Sequence, residues 1–131
     1  MIKIFSKFKV IFYFVNFCLV FLYLFPGSLL GMIIYGNKKI QPQITPDFYI
    51  SSNHFYVFTL ISIIGFLSFI KNKEINYLIA YLVFLSIILE IFHLFIPERS
   101  FQWSDLFGNL VGVLIVIFIK ILIYRYGTHK K

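Results

Sequence analysis

The chain has 131 residues, of which 60% are hydrophobic, 21% aromatic and 13% charged, and its mean hydropathy is +0.91. Water-soluble domains run at about 45–50% apolar and about 25% charged, so the composition excludes the ordinary globular class and reads as an integral membrane protein. The formal net charge of +7 does not point to nucleic acid, because the basic residues lie at the ends of apolar runs instead of gathering on one solvated face. Lysines in that position meet anionic lipid and set topology. A single Ala (Ala80) and ten Lys to two Arg carry the imprint of an AT-rich genome, so the wealth of Phe and Tyr is not itself a functional signal. A span takes about 20 apolar residues, so four spans would use nearly the whole hydrophobic complement and leave no room for a second domain.

The first charge-free stretch, residues 10–37, follows Lys3, Lys7 and Lys9. Its length and the absence of a small-residue cleavage site predict an uncleaved span over about residues 10–26, not a signal peptide. Pro26 and Gly27 end the regular helix and leave residues 28–36 as an apolar segment at the interface. Cys18 lies mid-span as the one cysteine, which excludes an internal disulfide and a CxxC site. A second span over 54–70 follows Ser51, Ser52 and Asn53, good N-cap residues. A third, over 75–95, is broken only by Glu90 and His93, and a fourth, over 106–124, only by Lys120, whose stem reaches the headgroups. The predicted fold is therefore an all-α, four-span helix bundle forming one domain over residues 1–131.

Orientation follows from the Lys and Arg asymmetry. One side collects Lys3, Lys7, Lys9, Lys71, Lys73, Lys120, Arg125, Lys130 and Lys131, and the other only Lys38, Lys39 and Arg99. The positive-inside rule makes the first group cytoplasmic, so both termini and the Lys71–Glu74 turn face in. Trp103, Tyr124 and Tyr126 read as interface anchors.

With the topology-setting lysines removed, the polar residues Asp47, Asn53, His54, Glu90, His93, Glu98, Arg99, Asp105 and Asn109 all fall at the outer ends of spans two to four. A carboxylate inside an apolar run, as at Glu90, costs roughly 2.5–3.5 kcal/mol unless partnered or protonated. His93 shares its helix face, and Arg99 is placed to fold back as a fixed positive charge. Asp105, Asn109 and Gly112, at i, i+4 and i+7, form one stripe expected to face the bundle. Each residue also has a plainer reading. Glu90 with His93 would pin a helix, Asp105 would cap one, Asn109 would bond across helices, and the Gly108–Gly112 GxxxG would serve close packing.

The run Glu90-Ile-Phe-His-Leu-Phe-Ile-Pro97-Glu-Arg99, then Trp103-Ser104-Asp105-Leu-Phe-Gly-Asn109-Leu-Val-Gly112, resembles the signature of VanZ-like membrane proteins. Asn53-His54-Phe55 with Phe58, and Leu24 to Ser28, resemble further segments of that family in part. Two departures stand out: His93 replaces a common Gln, and no Asp-Lys pair precedes His54. The resemblance implies a multi-pass protein of the bacterial cytoplasmic membrane, in a family associated with lowered teicoplanin susceptibility and so with envelope lipids or peptidoglycan precursors. It implies no reaction.

The expected function is binding of a lipid headgroup or lipid-linked envelope precursor by His54, Glu90, His93, Arg99, Asp105 and Asn109, with Arg99 as the phosphate-type contact. An enzyme acting on such a lipid through Glu90 or Asp105, and a non-catalytic accessory subunit, are the alternatives. His54, Glu90, His93 and Asp105 are residue types that could hold a divalent metal, but no metal-ligand spacing such as HExxH occurs, so no metal or cofactor is expected; a homo-oligomer remains open.

Overall fold

The computed structural model describes the backbone of residues 2–128 and the side chains of residues 8–127; Lys3, Lys7, Lys130 and Lys131 of the orientation count lie outside the described side chains. Among the described residues the chain is all helix, without strands: α1 (Ile2–Leu24), α2 (Leu29–Tyr35), α3 (Ser52–Ser68), α4 (Asn72–Phe92) and α5 (Trp103–Thr128). α4 and α5 are long and apolar enough to cross a membrane, and α1 with α2 makes a third crossing if that pair, bent by 81°, counts as one. α3 is apolar but shorter, at 17 residues, a rise of about 26 Å.

The α1–α2 bend occurs where Pro26 and Gly27 place it. Gly27 has φ +75°, and a Cβ there would lie 2.8 Å from the Lys38 carbonyl oxygen, so both its conformation and its surroundings require glycine. Ser28 then caps α2 by accepting from the Gly31 N–H at 2.9 Å, and left-handed Gly36 closes it, as helix ends favour. The segment 28–36, expected as an apolar interfacial stretch, is thus a short helix lying across the end of α1.

α3 begins two residues earlier than its sequence suggested, and for a different reason. Ser51 stands at the N-cap without a side-chain bond; Asp47, reaching from the preceding loop, accepts the Ser52 N–H at 2.8 Å. Asn53 turns away from capping, donating to the Pro42 carbonyl at 2.6 Å and accepting the Ile44 N–H at 3.0 Å. α4 ends at Phe92, with His93 as its C-cap, three residues before the end expected of the third span.

α3 is the central helix, packing on α1, α4 and, most extensively, α5. Its buried residues His54, Phe58, Ile61 and Gly65 follow the i, i+4, i+7, i+11 spacing of one face. Leu78, Leu82, Leu85 and Leu89 do the same on α4, and Phe12 and Leu19 supply the α1 side of the core. The opposite faces stay apolar too: Phe14, Phe17, Phe84 and Phe118 are all more than half exposed. Helices apolar all round belong in lipid. Gly108 and Gly112 set the α3–α5 distance, since a Cβ at either would lie 2.7 Å from the carbonyl oxygen of Ser51 or Phe55 respectively. At the other end, Lys9 pairs with Glu74 at 2.9 Å and ties α1 to the start of α4.

Candidate functional site

The buried stripes of α3, α4 and α5 each end in polar residues at the same end of the bundle. His54, Glu90, His93 and Asn109 are buried, Glu90 and Asn109 with no exposed surface, and Tyr23 joins them from α1. These are the last turns of α1 and α4 and the first turns of α3 and α5, so helix length and the tight α3–α5 packing decide the meeting point.

Tyr23 is the centre of the cluster and the residue missed from sequence. Its hydroxyl donates to Asn109 Oδ1 at 2.9 Å and lies 3.0 Å from His54 Nδ1. Its ring stacks on His93 with centroids 5.7 Å apart, and its carbonyl lies 3.1 Å from His93 Nε2. The available signal was a lone hydroxyl-bearing side chain one turn before the Pro26–Gly27 break; among so many tyrosines it had no contrast. Asn109 Nδ2 donates to the Ser86 carbonyl at 3.1 Å, so the amide spans α3, α4 and α5.

Two carboxylates close the site. Glu90 Oε1 accepts the Gln102 N–H at 2.9 Å. Glu90 Oε2 lies 3.2 Å from His93 Nδ1, yet outside hydrogen-bond geometry, and has no hydrogen-bond partner. Asp105 Oδ2 lies 3.5 Å from His54 Nε2, so its carboxylate turns into the bundle. With Asn109 buried and Gly112 against Phe55, the expected stripe on the last span does face inward.

The expectation for Arg99 needs correction. It does not pair with Glu90. Its Nη2 donates to the Leu22 carbonyl at 3.0 Å and its Nε to the Phe25 carbonyl at 3.2 Å, with Nη1 at 3.5 Å from Gln41 Oε1. The break at Pro26 strands the last carbonyls of α1, and Arg99 and His93 take them up. A cation also suits a helix C-terminus. Partial burial pushes the guanidinium down from its ordinary value while Glu90 and Asp105 nearby oppose that shift; arginine stays charged regardless. Three of its five N–H groups are thereby committed.

Three other residues of the outer group stand apart from the cluster. Asp47 and Asn53 organise the 37–51 loop, and Glu98 pairs with Lys38 at 2.9 Å. A cavity of about 240 Å³ opens beside the cluster, with Tyr23, His54, His93 and Arg99 among its polar lining and Leu19, Leu22, Leu29 and Val57 among its apolar walls. Drug-sized sites run to about 300–1,000 Å³, so this one suits a headgroup-sized ligand. Although no metal-ligand spacing was visible in the sequence, the fold brings His54, Glu90 and Asp105 together with one ligand atom each, all within 4.8 Å of one another. Comparison of the chain with family models, with curated proteins and with solved structures gives no match.

Proposed function

We propose that this chain is a four-span protein of the VanZ-like kind in the bacterial cytoplasmic membrane, with both termini inside, and that it binds the anionic headgroup of an envelope lipid or lipid-linked precursor at its outer end. Residue pattern supports the family reading: Glu90, Pro97, Arg99, Asp105, Asn109 and Gly112 follow one another at the family's spacing. The four-span reading takes α1 with α2 as one bent crossing and α3, at 17 residues, as a crossing at the short limit of the roughly 17–25 residues a span uses.

The observation that carries the binding reading is the cavity beside the cluster, mostly apolar in surface and walled by leucines, with Tyr23, His54, His93 and Arg99 among its polar lining. A ligand with a charged head and an apolar body fits such a wall. Arg99 offers the anion its uncommitted N–H groups, and His54 and His93 line the same space. Native mass spectrometry of protein purified in mild detergent tests this. An anionic phospholipid should co-purify with the wild type, survive exchange against phosphatidylcholine, and be lost from Arg99→Lys, which keeps the charge but not the fork. Equal retention by both proteins would end the headgroup reading. The family link carries its own test: expression in a sensitive host should lower teicoplanin susceptibility, and should not when Glu90 is replaced by Gln.

One observation favours a catalytic second reading. Glu90 Oε2 is a buried carboxylate oxygen without a hydrogen-bond donor, and a carboxylate left free to accept a proton is a candidate base. Turnover of labelled lipid by the purified protein separates this reading from binding alone.

A further inference from the structure

We propose that His54 Nε2, a carboxylate oxygen of Glu90 and a carboxylate oxygen of Asp105 bind one divalent first-row metal ion of the Zn2+ class. The inference goes beyond the headgroup reading and does not depend on it.

The hydrogen positions are decided by the neighbours. Asn109 Nδ2 is held by the Ser86 carbonyl, so Oδ1, an acceptor only, faces both the Tyr23 hydroxyl at 2.9 Å and His54 Nδ1 at 3.0 Å. Tyr23 Oη and His54 Nδ1 are themselves 3.0 Å apart. If Nδ1 lacked a hydrogen, one side of this triangle would set two lone pairs against each other. The hydrogen therefore sits on Nδ1, and Nε2, 3.5 Å from Asp105 Oδ2, is the ring atom left to meet a metal ion.

The same reasoning applies to Glu90. His93 Nε2 donates to the Tyr23 carbonyl, and its Nδ1 lies 3.2 Å from Glu90 Oε2. That oxygen has no hydrogen-bond partner in a residue with no exposed surface. A buried carboxylate oxygen without a hydrogen-bond donor calls for a partner. The fixed cation nearest to hand, Arg99, is turned to the α1 carbonyls. A divalent ion between Glu90 and Asp105 would give both carboxylates a partner at once.

The ligand set selects the metal. One imidazole and two carboxylates suit Zn2+ and its first-row neighbours better than Mg2+ or Ca2+, which favour all-oxygen shells. Three protein ligands leave an open position for water or a ligand oxygen, as in catalytic zinc sites. Ligand atoms lie about 2.0–2.2 Å from zinc, so the three would draw inward from a spacing of up to 4.8 Å.

The test uses the full chain in detergent, stripped with chelator, with no lipid added and with His129→Gln so that the one histidine outside the cluster contributes nothing. Titration with ZnCl2 should show one ion per chain. Loss of an outer-shell partner already weakens metal binding about 10- to 100-fold, so His54→Gln and Asp105→Asn should each weaken it by at least that factor, with folding checked by circular dichroism. X-ray absorption of the zinc-loaded parent protein, independent of those variants, should report one imidazole and otherwise oxygen. No stoichiometric uptake, uptake unchanged in both folded variants, or a sulfur ligand that moves the ion to Cys18 would each overturn the proposal. Failure here would leave the headgroup reading standing, because that test measures lipid retention.

Discussion

Tyr23 and Arg99 show how one side chain joins helices that are far apart in sequence. The Tyr23 hydroxyl supplies the hydrogen for Asn109 Oδ1 beside His54. Tyr23→Phe keeps the ring on His93 but removes one buried hydrogen bond to Asn109 Oδ1, which His54 Nδ1 still faces at 3.0 Å, a loss of about 0.5–1.5 kcal/mol. A clearly lower melting temperature in detergent is the expected result; an unchanged one would show that the hydroxyl is not the hub. Arg99 holds the Leu22 and Phe25 carbonyls, and a hydrogen bond to a charged group is worth about 1.5–3 kcal/mol, so Arg99→Gln should destabilise on that scale. Because Arg99 and Glu90 share no bond, a double-mutant cycle with Glu90→Gln should give a coupling energy under about 1 kcal/mol, well below the several expected of a direct buried pair. Near-complete recovery in the double mutant would restore the pair that the sequence suggested.

At the level of elements, α3 and α5 approach through glycine. In Gly112→Ala the new Cβ would lie 2.7 Å from the Phe55 carbonyl oxygen and 3.0 Å from the Thr59 nitrogen, backbone atoms that cannot rotate aside. Overpacking of this kind costs about 1–3 kcal/mol, more than the roughly 1 kcal/mol that alanine gains in helix propensity. A net loss of stability is expected. Gly127→Ala, where a Cβ meets nothing within 4 Å, should be neutral or slightly stabilising. Thermal unfolding of both variants in one detergent checks the contrast. Equal shifts would mean that α5 does not need its glycines to pack. Since His54 precedes Phe55 and Asn109 follows Gly108, separating these helices would also open the polar cluster, so Gly112→Ala should weaken metal uptake as well.

For the whole molecule, the expected orientation is the one the lysines set. Residues 43 and 102 should lie outside and residue 72 inside. Gln43, Gln102 and Asn72 are exposed, so single cysteines there, in a Cys18→Ala background, report accessibility directly. Cys18 is half-buried and unbonded, and its loss should cost on the order of 1 kcal/mol or less. An impermeant maleimide on intact cells should label the first two positions and spare the third; the opposite pattern would invert the topology. Because α3 is the shortest of the helices proposed to cross, labelling of residue 72 together with 43 would show that α3 does not cross.

The membrane class, the break at Pro26–Gly27 and the gathering of polar residues at one end were legible in the sequence itself. Each depends on local chemistry: transfer energy summed over a run, a missing N–H, or the cost of a charge inside an apolar stretch. Glu90, His93, Asp105 and Asn109 announced themselves because they stand out against their own neighbours. Partners were not legible, since a hydrogen bond between residues 23 and 109 leaves no periodic trace in either segment. Tyr23 was hidden by the abundance of tyrosine, and the α1 carbonyls that claim Arg99 are backbone groups that every sequence carries unseen. Only the tertiary structure decided that Arg99 answers a broken helix instead of Glu90, and so left two carboxylates and an imidazole facing one another at one end of the bundle.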